Sequence, residues 1–133
     1  MGLSVDEIKK QIILELKDKS VFTLVFGSLL TPQFLDESDV DIAIYVKNLS
    51  AFSLLDQISA LQDSLGRKVD LVILNHADLI IIHQILASGE LLDCSNHNLF
   101  IKFKAQKLNE YIDFKQFRAP IEVSMKKAIL KNG

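Results

Sequence analysis

The sequence lacks a pair of cysteines that could form a disulfide, and it lacks a long apolar run. Its 133 residues include one cysteine, Cys94, two prolines and no tryptophan. A single cysteine cannot form an internal disulfide, so we expect a cytoplasmic protein without a disulfide framework. No apolar run approaches the roughly 18 residues that suggest a membrane span. The sequence therefore predicts no membrane association.

A strong charge bias is also absent. The formal net charge is −2, with acidic and basic residues interleaved, which gives no reason to expect nucleic-acid binding. The 49% hydrophobic and 24% charged residues are typical of a soluble globular protein. A chain of 133 residues without repeats or a linker rich in Gly or Ser predicts one domain, 1–133.

The most informative segment is 21–46, where two apolar runs flank Gly27-Ser28 and end at Asp39-Val40-Asp41. This pattern predicts strand, turn, loop, strand. Because side chains alternate along a strand, Asp39 and Asp41 share one face. Two carboxylates near a core need a compensating partner. Mg²⁺ is the natural candidate, since it usually takes one or two carboxylates together with substrate phosphates.

Two further features belong with this acid pair. Gly27 lets the backbone turn tightly and approach an anion, and the Ser28 hydroxyl can donate a hydrogen bond to a phosphate oxygen. Downstream, Asp70 lies in a second apolar run, 68–74. A strand, helix, strand order brings such a run beside its neighbour, so Asp70 is expected next to Asp39 and Asp41.

The order strand, Gly-Ser, ten residues, Asp-x-Asp, strand resembles the signature of the nucleotidyltransferase superfamily, and Asp70 corresponds to its third carboxylate. The short length, the turn at 89–92 and the Tyr111-Ile112-Asp113-Phe114 segment resemble the minimal nucleotidyltransferase antitoxins (MntA-like). This resemblance implies an α/β (α+β) fold, with a mixed β-sheet flanked by helices. It also implies a catalytic core at 1–95 and a C-terminal helical extension at 96–133.

The resemblance also implies an activity. Asp39, Asp41 and Asp70 would be the catalytic residues and would hold Mg²⁺, two ions by the usual chemistry of phosphoryl sites, while Gly27 and Ser28 would bind the nucleotide. The substrate would be ATP, and AMP would be transferred to a tyrosine hydroxyl of a partner HEPN-domain (HepT-like) toxin, neutralising it. A homo-oligomer or a hetero-oligomer is compatible with such a role.

Two alternatives stay open. Instead of adenylylating the toxin, the chain could be a binding module that neutralises it by docking alone, or a nucleotidyltransferase that acts on another acceptor. Thr31-Pro32 stands where the family commonly has Arg-Gly, so the motif loop lacks a basic and a flexible residue. This departure favours the docking alternative, whereas the three intact acids favour the enzyme.

The other predicted elements surround this site. We expect a helix from Ser4 to about Asp18, another at 77–88, and a short strand at 91–92. His83, inside the second of these helices, is interpreted as a packing residue rather than a metal ligand. The tail from 96 to about 130 predicts one long helix or two shorter ones with a break at Pro120.

A helix is also expected at 50–65, with Gly66 as its stop. Its apolar face is predicted from helical spacing, with the positions Leu54, Leu55, Ile58, Leu61 and Leu65. The lysines of the tail are interpreted as a solvated face: Lys102, Lys104, Lys107, Lys126, Lys127 and Lys131.

Overall fold

The computed structural model describes the backbone of residues 2–132 and the side chains of residues 2–116. Within this part of the chain, the helices and strands are α1 (Val5–Leu16), β1 (Ser20–Phe26), β2 (Val40–Val46), α2 (Leu54–Leu65), β3 (Val69–Ile73), α3 (Leu79–Ser88), β4 (Glu90–Cys94) and α4 (His97–Asn132). Short 3-10 turns at Gly27–Leu30 and Leu49–Ala51 follow β1 and β2.

The strands form one mixed sheet in the order β3-β2-β1-β4. β1 pairs antiparallel with both β2 and β4, whereas β2 and β3 are parallel. Parallel neighbours need a crossover connection of a dozen or more residues, and α2 supplies it here. The mixed sheet confirms the predicted α+β fold.

Helices cover both faces of the sheet. α1 and α2 bury their apolar side chains, among them Ile12 and Leu61, against one face. α3 and α4 cover the other face, where Ile82 and Phe103 are buried. Alternation along β2 assigns Val40, Ile42, Ile44 and Val46 to the first cluster and Ala43 to the second. Asp41 therefore points to the face covered by α3 and α4, which we call the α3–α4 face.

Local capping explains where the helices begin and end. Ser4 and Glu7 form a reciprocal capping box at the start of α1. Ser53 caps α2, and Gly66 ends it in the left-handed conformation with φ of 66°. Asp78 accepts a hydrogen bond from the Ile80 N–H at the start of α3. The helix stop predicted at Gly66 is confirmed.

The predicted apolar face of α2 is partly wrong. Leu55 is 79% exposed and Leu54 is also exposed, while Gln57 is buried. The buried line of this helix is Gln57, Leu61 and Leu65, at a spacing of four residues. Helical spacing shows which residues lie on the same face of the helix, but the contacts with α1 and the sheet determine which face is buried. That selection depends on the tertiary structure.

The tail forms one long helix, the first of the two predicted alternatives, so the break that the second placed at Pro120 is wrong. A proline inside a helix removes a single N–H donor and tends to kink the helix, but it does not oblige the helix to end. The predicted basic positions Lys126, Lys127 and Lys131 lie outside the residues whose side chains are described. None of the helices in the described part of the chain combines the length and the hydrophobicity that a transmembrane segment needs.

His83 joins α3 to α4. Its ring stacks on that of Tyr111, with ring centroids 3.6 Å apart and planes 4° from parallel. This contact agrees with the packing role that we predicted for His83. Through this stack α4 packs against α3 at Tyr111, beyond the part of α4 that contacts the sheet at Phe100 and Phe103.

Candidate functional site

Three chain segments meet at one edge of the sheet. In the parallel pair of β2 and β3, Asp41 lies directly opposite Asp70. In the antiparallel pair of β1 and β2, Phe26 lies opposite Asp41, and Gly27 follows at once. The pairing register therefore brings Asp41, Asp70 and Gly27 together from distant parts of the sequence.

The electrostatics of this edge centre on Asp41. The pKa of its carboxyl is raised from 3.8 to about 6, mainly because partial burial disfavours the charged form. The neighbouring Asp70 raises the pKa further through charge repulsion and through a hydrogen bond to the protonated form, and Asp39 adds a smaller repulsion. A positive charge bound here would relieve this repulsion.

Gly27 makes the closest backbone approach to the acid pair. Its φ is 74°, a left-handed backbone conformation that residues other than glycine rarely adopt. A Cβ added at this position would collide with Oδ2 of Asp41. Ser28 follows in the 3-10 turn, where its carbonyl accepts hydrogen bonds from the backbone N–H and the hydroxyl of Thr31. The turn thus holds the exposed backbone of Gly27 against the carboxylate.

Asp39 is less closely integrated. It lies immediately before β2 and is exposed, near enough to affect the pKa of Asp41. Among the described residues, no group of three or more acidic, histidine or cysteine side chains is arranged to hold a metal ion. The predicted three-carboxylate metal site therefore stays a prediction. The pair Asp41 and Asp70 fits Mg²⁺, which commonly takes one or two carboxylates.

Arg67, which was not among the predicted residues, contacts the motif loop. Its side chain is 7% exposed, and its guanidinium donates hydrogen bonds to the carbonyls of Leu35 and Ser38, in the loop between Gly27-Ser28 and Asp39. The guanidinium also lies 4.3 Å from the ring centroid of Phe34. One signal was present in the sequence: an arginine placed directly between a helix-ending glycine and the strand that carries Asp70.

The family model described as "Polymerase beta, Nucleotidyltransferase" matches residues 8–98. No curated protein matches the chain. One similar solved structure is a toxin-antitoxin with AMP-PNP; it is 24% identical with a TM-score of 0.75, covering 89% of this chain and 98% of that one.

Two further structures share the fold. A toxin-antitoxin MntA-HepT chain is 22% identical with a TM-score of 0.70, covering 90% of this chain and 97% of its own. A complex of a tri-AMPylated Shewanella oneidensis HEPN toxin with an MNT antitoxin gives 21% identity and a TM-score of 0.72, covering 92% and 98%. Likeness at this identity establishes a common fold.

Proposed function

Since this chain belongs to the polymerase beta nucleotidyltransferase family, we propose that it transfers AMP from ATP to a tyrosine hydroxyl of a HEPN-domain toxin and thereby neutralises the toxin. The observation that carries the proposal is the register that sets Asp41 opposite Asp70, next to the turn at Gly27. The AMP-PNP in one similar structure and the AMPylated HEPN toxin in another support the choice of donor and acceptor.

Asp39, Asp41 and Asp70 would hold Mg²⁺ in this reaction, with two ions shared among them. Asp41 and Asp70 would supply oxygen ligands from adjacent strands. A bound cation would favour the charged form of Asp41, which burial and the repulsion from Asp70 disfavour. Bound Mg²⁺ would stabilise negative charge on the attacking and leaving oxygens of the phosphoryl group. Asp39, at the exposed start of β2, would complete the set.

The chain's own groups would bind the nucleotide and move the proton. The backbone at Gly27 can approach the triphosphate closely, and the Ser28 hydroxyl would donate to a phosphate oxygen. The acceptor hydroxyl oxygen would bond to the α-phosphorus while the bond to the bridging oxygen breaks, releasing pyrophosphate. Asp70, which is exposed, would take the proton of the hydroxyl.

The openness of the site supports a protein acceptor. Gly27, Asp39 and Asp70 are exposed, and the acid pair lies where β2 and β3 begin. A side chain presented by another protein can therefore approach the carboxylates without opening the core. A small acceptor would instead need a cleft that holds it near Asp70.

Docking without catalysis is the second candidate. One observation favours it: the motif loop carries Thr31-Pro32 where the family commonly has Arg-Gly. In this alternative the chain would neutralise the toxin by contact alone. The two functions differ in whether the carboxylates are needed.

The deciding experiment compares the parent chain with Asp39→Asn/Asp41→Asn and with Asp70→Asn. Each is incubated with the co-expressed partner, Mg²⁺ and α-labelled ATP, and the added nucleoside monophosphate is located by mass spectrometry. We expect the double variant to lose transfer and Asp70→Asn to be about 100-fold slower or worse. Asp113→Asn, an exposed change on α4, is the matched control and should transfer normally.

Neutralisation of the toxin in cells separates the two functions. If the double variant binds the partner but no longer protects the cells, transfer is the operative step. Full protection by a variant that transfers nothing would establish docking alone.

Thermal unfolding without metal verifies that the variants fold. In this experiment Asp41→Asn alone should raise the midpoint temperature of unfolding at pH 7, because it removes a carboxylate whose charged form is disfavoured by burial and by Asp70.

We also propose that residues 1–133 act as one domain in the cytoplasm, with a catalytic core at 1–95 and a helical extension at 96–133. Phe100 and Phe103 of α4 are buried in the same cluster as β1, which supports a single unit. The free Cys94 is compatible with a reducing compartment. Assembly with the toxin would make the active species a hetero-oligomer.

A further inference from the structure

Arg67 carries a charge that is almost completely withdrawn from solvent. Its side chain is 7% exposed, and the nearest carboxylate is that of Asp36, with Oδ1 3.8 Å from Nη2 and a side chain that is 98% exposed. Such a distant, solvated ion pair contributes little. The guanidinium is held instead by two backbone carbonyls and by the ring of Phe34.

The two carbonyls belong to the two ends of one small turn. Nη1 of Arg67 donates to the Leu35 carbonyl at 2.6 Å and to the Ser38 carbonyl at 3.1 Å. The turn is also closed internally, because the Ser38 N–H donates to the Leu35 carbonyl and the Ser38 hydroxyl accepts from the Leu35 N–H. Arg67 therefore holds both ends of the 35–38 turn at once.

This turn lies directly before Asp39. The loop 29–38 contains no basic residue, so the cation that binds its carbonyls comes from the segment leading into β3. The next backbone contact continues the connection, since the Val40 N–H donates to the Lys68 carbonyl at 3.0 Å. Arg67 and Lys68 thus join the end of the motif loop to the beginning of the strand that carries Asp70.

We propose that Arg67 is a positioning residue that fixes the 35–38 turn and thereby holds Asp39 in register with Asp41 and Asp70. Its role in catalysis rests on the proposed nucleotidyl transfer, whereas the clamping of the loop does not. A planar guanidinium stacks on an aromatic ring while it donates to two carbonyls, and a lysine ammonium cannot reproduce that geometry. Arginine is therefore required at this position for more than its charge.

The test uses the full chain with Arg67→Ala and Arg67→Lys. Asp36→Ala is the matched control, since it removes only the exposed ion pair. Amide hydrogen exchange is measured first, without nucleotide or partner. In Arg67→Ala we expect exchange at the Ser38 and Val40 amides to accelerate about tenfold or more, while amides in the centre of β1 keep their protection.

Transfer from α-labelled ATP to the partner is measured next, well below the unfolding temperature. We expect kcat of Arg67→Ala to fall about 10- to 100-fold, with KM for ATP within about threefold of the parent. The reason is that a displaced Asp39 carboxylate would stabilise the transition state less well. Arg67→Lys should recover part of the loss, and Asp36→Ala should match the parent in both experiments.

Each result decides between positioning and general stabilisation. Unchanged exchange at Ser38 and Val40, or acceleration spread equally over the whole sheet, would overturn the proposal. So would a parent-like kcat in Arg67→Ala. If the parent chain itself transfers no label, the proposed function fails, and the exchange data still decide whether Arg67 clamps the loop.

Discussion

At the scale of single residues, Gly27 has two separate requirements for glycine. The first is conformational, since its φ of 74° is strained for any residue with a Cβ. The second is spatial, since an added Cβ would meet Oδ2 of Asp41, at the free end of a side chain that can rotate away. A substitution at Gly27 should therefore displace the carboxylate more than it disturbs the fold.

Gly66 allows these two effects to be separated. It also has a positive φ, of 66°, but an added Cβ would find open space. We expect Gly27→Ala and Gly66→Ala each to lower the free energy of unfolding by about 1 kcal/mol, because both impose the left-handed strain. Only Gly27→Ala should reduce transfer, by about 100-fold, because it moves Asp41.

Urea unfolding and the labelled transfer assay measure the two quantities. Equal transfer by the two variants at matched stability would show that the close approach between Gly27 and Asp41 has no functional role. A much larger stability loss in Gly27→Ala would show instead that the carboxylate cannot rotate away.

At the scale of elements, α2 buries a polar side chain where an apolar one was expected. Gln57 is 2% exposed, and neither its Oε1 nor its Nε2 has a hydrogen-bond partner among the described residues. A buried polar group without a partner destabilises the folded state by its desolvation. On the same helix, Gln62 is used differently: its Oε1 accepts a hydrogen bond from the Val69 N–H at the start of β3.

Replacing glutamine by leucine should have opposite effects on stability at these two positions. Gln57→Leu should raise the free energy of unfolding by about 1 kcal/mol, because it removes the unpaired amide and adds apolar contact. Gln62→Leu should lower it by about 1 kcal/mol, because the Val69 N–H loses its acceptor. Thermal and urea unfolding check both. A destabilised Gln57→Leu would indicate that the Gln57 amide is in fact hydrogen-bonded in solution.

Across the molecule, the sequence predicted most of the sheet and the proximity of Asp41 to Asp70. The apolar runs around Gly27 and Asp39, and the strand, helix, strand order that ends at Asp70, depend on local pattern and on a general rule of connection. The structure pairs Asp41 with Asp70 accordingly. Local pattern sufficed for this pair because Asp41 and Asp70 lie near the beginnings of two strands that the connection rule places side by side.

The clamp of Arg67 and the buried side of α2 were not predictable in this way. Arg67 binds carbonyls about 30 residues away in sequence, and backbone carbonyls carry no sequence signal. The burial of Gln57 instead of Leu55 depends on how α2 packs against its neighbours. Both features are set by tertiary contacts, which propensity and periodicity do not encode.

Aromatic contacts join α4 to the sheet. Phe103 of α4 packs against Phe22 of β1 and Tyr45 of β2, with ring centroids 5.5 Å apart in each pair. Phe100 meets Phe22 edge-on at 4.8 Å. These rings form the centre of the α3–α4 face, the same face to which Asp41 points. The helix and the sheet should therefore unfold together.

Phe103→Ala tests this coupling. We expect it to lower the free energy of unfolding by about 3–4 kcal/mol, the usual effect of truncating a buried phenylalanine, within a single cooperative transition. Ile101→Ala, on the exposed side of the same helix, is the control and should change stability by less than about 0.5 kcal/mol. Circular dichroism follows the helices, and amide exchange in β1 follows the sheet. If α4 is only an appendage, Phe103→Ala will lose helix in a separate early transition while β1 keeps its protection, because the sheet would then retain its own core.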